Sequence, residues 1–102
     1  MSPRSDEVTR VVTQMTEIAS GIEGDLSDAA LTELFGAART SCERAAATQT
    51  AETRMALTNV ATALQTWEQV WLRLGREQDF RLAVAREARL WSKRIAVLVP
   101  MV

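Results

Sequence analysis

Histidine and tyrosine are absent from this 102-residue chain, cysteine occurs once, and there are two prolines and four glycines. Each shortage removes a class of chemistry. Without His or Tyr, no imidazole base, histidine metal ligand or tyrosyl acid is available to a catalytic scheme. Cys42 alone cannot form a disulfide within its chain, nor supply paired thiolates to zinc or an iron–sulfur cluster. The glycines stand apart at 21, 24, 36 and 75, and the one lysine, Lys93, follows no Walker pattern, so a phosphate-binding loop is missing. Di-iron bundles use Glu-x-x-His, which this chain cannot form, and Glu23, Asp25 and Asp28 fail the EF-hand spacing. The expectation is a protein with no cofactor, no metal and no enzymatic activity. Cys42 lies on an apolar stripe without a neighbouring base and reads as a small buried hydrophobe. Only loss of turnover on replacing Glu17, Glu33, Glu43 or Cys42 would restore an enzymatic reading.

What is present is 47% apolar and 25% charged side chains, the mixture of one globular domain over residues 1–102. The opening Met1-Ser2-Pro3-Arg4-Ser5-Asp6-Glu7 lacks the basic start and apolar stretch of a secretory leader, and no window approaches the roughly 18 apolar residues of a membrane span. A cytoplasmic protein without membrane association is expected. The formal charge of −1 hides a split: residues 1–52 hold four Arg against nine acidic residues, and residues 53–102 hold seven Arg and one Lys against four. One half could neutralise the other on folding, or two oppositely charged surfaces could result.

With sixteen alanines and almost no internal punctuation, the chain reads as all-α, an antiparallel bundle of three or four helices. Ser2 before Pro3 offers a first cap, and Val8, Val11, Val12, Met15, Ile18, Ala19 and Ile22 form one apolar face that Gly21 and Gly24 should close. Ser27 caps the next helix, with Leu26 and Leu31 placed as a hydrophobic staple. From Leu31 a stripe through Phe35, Ala38, Cys42, Ala45, Gln49, Thr53, Leu57, Val60, Leu64, Trp67, Trp71 and Leu74 keeps its phase until Gly75, where a glycine stop is expected. Two readings of residues 28–74 stand. One unbroken helix would be about 70 Å long and would require a dimer to cover its stripe. Two helices would break in the polar stretch Thr48-Gln49-Thr50-Ala51-Glu52-Thr53, which lacks large apolar residues.

The last helix spans about Arg76 to Val99, before Pro100. Phe80, Val84, Ala88, Trp91, Ile95 and Leu98 should enter the core, and Trp67, Trp71 and Trp91 should form an aromatic cluster between antiparallel helices. Leu82, Leu90 and Val97 lie nearly opposite that face, interleaved with Arg86, Arg89 and Lys93. The apolar end Ile95–Val102 should dock on the core or a partner. A helix apolar on two sides predicts a homo-oligomer and a partner-binding surface comprising Leu82, Arg86, Arg89, Leu90, Lys93 and Val97. Three things could answer its cations: the acidic faces of the first two helices, an acidic protein partner, or nucleic-acid phosphates. The aliphatic neighbours favour protein, since phosphates gain little from them. The resulting expectation is a small interaction module, an adaptor, chaperone, inhibitor or assembly subunit; a nucleic-acid-binding accessory protein using the same cations is the alternative.

Overall fold

In a computed structural model, described for residues 3–24, 26–49 and 51–99, the chain forms four helices and no strand among those residues: α1 (Pro3–Glu23), α2 (Asp28–Thr48), α3 (Ala51–Leu74) and α4 (Gln78–Leu98). They make an antiparallel bundle measuring 39 × 20 × 19 Å, about one helix length by two helix diameters. The all-α expectation is met in its four-helix form, so each chain covers its own long stripe. Ser2, Asp25 and the segment from Pro100 lie outside the described residues.

The predicted faces point inward. Val8, Val11, Met15, Ile18, Ala19 and Ile22 of α1 are buried, as are Leu31, Phe35, Ala38, Cys42 and Ala45 of α2 and Leu57, Val60, Leu64 and Trp71 of α3. Val84, Ala88 and Ile95 follow from α4, with Phe80, Trp91 and Leu98 half-buried at its margins. Leu74, expected on the stripe, is instead exposed in the last turn of α3, beyond the end of the α2 surface it would need. One continuous core results.

Helix ends depart from expectation in an instructive way. Ser27 caps α2 as predicted, its hydroxyl accepting from the Ala30 N–H at 3.2 Å. Leu26 and Leu31 both close over Gly21, where a Cβ would lie 3.0 and 3.3 Å from their Cδ2 atoms. Gly21 therefore does not end α1 but makes room for this packing, and the helix runs on to Glu23, with the Leu26 N–H bonded to the Gly21 carbonyl. No described glycine has a positive φ. Gly75 ends α3 for a different reason: a Cβ there would sit 2.5 Å from the Trp71 carbonyl oxygen and 2.8 Å from the indole Nε1. That indole donates to Asp28 Oδ1 at 3.1 Å, tying the end of α3 to the start of α2.

The break between α2 and α3 contains no such residue. Gln49 turns to an extended backbone (φ −105°, ψ 164°), and Ala51 takes a φ of 53°, which costs an L-residue with a Cβ roughly 1–2 kcal/mol. Arg54 reaches back to donate from Nε to the Ala46 carbonyl at 3.1 Å, which also accepts from the Gln49 N–H at 3.3 Å, so two donors close the end of α2.

Helix spacing follows side-chain size. α2 packs closely on α3 and α1 on α4, along seams rich in Ala38, Cys42, Ala45 and Ala61 on one side and Ala19, Ala85, Ala88 and Ser92 on the other. Of the four helix pairs in contact, α3 and α4 meet least, with Phe80 of α4 packed on Trp71 of α3.

Candidate functional site

The outward face of α4 carries apolar residues along most of the helix length. Leu82, Leu90 and Val97 are 47%, 40% and 72% exposed, although α4 already buries Val84, Ala85, Ala88, Ser92 and Ile95. At 100° per residue, Leu82, Arg86, Arg89, Leu90, Lys93 and Val97 fall within about 100° of the helix circumference, opposite the buried set. The stripe extends for about 22 Å at 1.5 Å per residue.

Of its three cations, one is answered by the fold. Arg89 pairs with Glu23 at the end of α1, joining the basic half of the chain to the acidic half. Arg39 pairs with Glu68 across α2 and α3 at 3.5 Å, but this joins a cation of the acidic half to a carboxylate of the basic half and leaves the imbalance between the halves unchanged. Arg86 and Lys93 make no ion pair among the described residues and are exposed. Self-neutralisation is thus partial, and two cations remain beside three aliphatic side chains.

The flank of the stripe is set by the α1–α4 seam. Ser92, buried on α4, shares a hydrogen bond with Thr16 Oγ1 at 3.0 Å and donates to the Val12 carbonyl at 3.3 Å. These bonds fix the rotation of α4 about its own axis, and so fix which residues face outward. A small cavity beside them, lined by Thr16, Arg89, Ser92 and Lys93, opens onto the stripe.

The aromatic cluster differs from expectation. Phe35 packs edge-on to Trp71 at 5.4 Å between centroids and tilted to Trp67 at 6.3 Å, and Phe80 meets Trp71 at 5.5 Å. Trp91 has no ring partner among the described residues; the Arg94 guanidinium lies 5.1 Å over it. Face assignment was right, but register excludes it: Trp91 sits eleven residues, or about 16 Å along the axis, beyond Phe80. Phe35 and Phe80 take the place that Trp91 was expected to fill.

Arg81, which periodicity does not single out, anchors this end. Its guanidinium donates to the Gly75 carbonyl at 2.8 Å and to the Ile22 carbonyl at 3.3 Å, and lies 5.3 Å over the Trp71 ring. It thereby gathers the ends of α1 and α3 against the first turn of α4. A second feature invisible to the stripe argument is the strong exposure of Leu72 and Met55 on α3, at 84% and 66%. No cation spacing accompanies them, so the sequence carried no signal to set them apart.

Cys42 is fully buried, and burial, reinforced by the nearby Glu43 carboxylate, pushes its thiol up to about 12. It is a packing residue in its protonated form. Among the described residues no group of three or more Cys, Asp and Glu side chains is arranged to hold a metal ion, and no helix is long and apolar enough to cross a membrane. Comparison with known protein families, with characterised proteins and with solved structures finds no match to this chain.

Proposed function

We propose that this protein is a non-enzymatic interaction module that docks an acidic protein surface on the outward stripe of α4. The observation that carries this reading is the coexistence, on one fixed helix face, of exposed Leu82, Leu90 and Val97 with Arg86 and Lys93, which lack ion-pair partners among the described residues. Aliphatic burial supplies affinity, and the cations orient a partner of opposite charge. Docking two copies through this stripe would place Arg86 and Lys93 against cations of the same kind, so an acidic partner fits better than an isologous dimer. A single thiol packed in the core requires no oxidising compartment, and we place the interaction in the cytoplasm.

The test compares capture of partners by the wild type, by an Arg86→Glu/Lys93→Glu double variant, by Leu90→Asp, and by Arg44→Glu as a control on a different face. Loss of the same partner in the first two variants, with retention in the control, is expected; Leu90→Asp should weaken the purified pair roughly 30-fold or more. If both stripe variants retain every partner, the surface is wrong. A random DNA duplex titrated over the same salt range separates the alternative, since phosphate binding falls log-linearly and steeply with salt.

A further inference from the structure

From the α2–α3 turn we infer that the chain has a second state: residues 28–74 straighten into one continuous helix, and two copies exchange their α1–α2 hairpins to form a dimer. The turn is the one connection whose local sequence does not favour turning. Between Ala37 and Gly75 there is no glycine, proline or aspartate, and the residue made to adopt a left-handed backbone is Ala51, which has no tolerance for it. The stripe crosses the turn without losing phase, since Gln49 and Thr53, four residues apart, are both buried. A sequence that continues a helix but is held in a short strained turn is the usual setting for exchange between copies.

The exchange retains the core. The α1–α2 and α3–α4 connections stay within one chain, while the α2–α3 and α1–α4 seams re-form between chains with the same residues. The Trp71–Asp28, Thr16–Ser92 and Arg89–Glu23 contacts become contacts between copies. What changes is the turn: Ala51 returns to helical φ, and the backbone groups on either side of it join an unbroken helix. Among the described residues, buried Gln49 Nε2 has no hydrogen-bond partner. The register that sets Asp28 beside Trp71 and Ala46 beside Arg54 has its midpoint between Gln49 and Ala51. The two-fold axis of the exchanged dimer therefore passes there, bringing the Gln49 amides and Thr53 hydroxyls of both copies together and offering that nitrogen an acceptor.

Two substitutions at exposed Ala51 push the equilibrium in opposite directions without touching the core. Ala51→Gly relieves the turn and places a glycine inside each long helix, and should weaken dimerisation by about 30-fold or more. Ala51→Val, whose branched Cβ suffers more at positive φ, should strengthen it. Sedimentation from micromolar to millimolar concentration reads both. A Cys42→Ala chain spin-labelled at Ala29→Cys and Arg73→Cys reports the geometry: the labels lie at neighbouring helix ends in the closed monomer and roughly 66 Å apart along one exchanged chain. A long distance confined to the dimer fraction is the expected result. Because the seam re-forms between copies, a short distance persists in either state; a dimer that lacks the long distance when labelled chain is diluted in excess unlabelled chain, or a chain that stays monomeric at millimolar concentration as both wild type and Ala51→Val, overturns the inference.

Discussion

Single side chains in this bundle are held by contacts that hydropathy does not report. Cys42 illustrates one consequence. Because its folded thiol is pushed up to about 12 while the unfolded thiol titrates near 8.5, its contribution to stability is intact below pH 8.5 and falls as pH rises toward 12. The slope is about 1.4 kcal/mol per pH unit within that window. Chemical denaturation of the wild type and Cys42→Ala between pH 7 and 10.5 should show the two converging as the solution becomes alkaline. An unchanged difference would mean that the thiol is not held protonated. Gly75 illustrates another. A methyl group there meets the Trp71 carbonyl and indole, so Gly75→Ala should destabilise by about 1–3 kcal/mol and shift Trp fluorescence. A Gly75→Ala protein as stable as the wild type would show that the indole can move aside at no cost.

At the level of whole helices, termini are set both by capping hydrogen bonds, as at Ser27, and by glycine, as at Gly24 and Gly75. Ser27→Ala should cost about 1 kcal/mol, measured by urea unfolding, because the Ala30 N–H loses its acceptor. This cap was legible in the sequence, with Leu26 and Leu31 around it, as were all four apolar faces. Gly24 and Gly75 follow the last residues of α1 and α3 as the sequence predicts, whereas Gly21 lies inside α1 as a packing notch, and Gly75 has the added role of accommodating an indole. A glycine in a sequence signals only that a Cβ is unwelcome, and both backbone conformation and close approach can be the reason. Trp91 shows the same limit. Periodicity assigned its face, but its distance from Trp71 depends on where the α3–α4 turn falls, which sets the register of two antiparallel helices.

On the scale of the molecule, α4 has one face committed to folding and another available to a partner. Leu82→Asn, Leu90→Asn and Val97→Asn should each leave the unfolding midpoint within the change expected of about 0.5 kcal/mol, whereas Leu64→Ala in the core should cost about 2–5 kcal/mol. If the stripe substitutions proved as damaging as the core one, the outward face would be part of the fold and the docking proposal would fail. Legibility of this candidate surface was partial. Six positions could be placed on one stripe by spacing alone, but the pairing of Arg89 with Glu23 could not be read, because those residues are 66 positions apart and meet only when α1 lies beside α4.

The sequence by itself determined the elements: helical propensity is a local property, and apolar residues recurring every three or four positions specify which side of each helix avoids water. It also excluded catalytic schemes that depend on histidine or tyrosine, since a missing side chain is missing in every conformation. Whether residues 28–74 bend was decided only by tertiary structure. The local sequence there is divided between an unbroken apolar phase and a polar stretch with three β-branched Thr, and Ala51 is held at a positive φ because folding α3 back on α2 buries both halves of the stripe within one chain, a gain that outweighs the strain of a single residue.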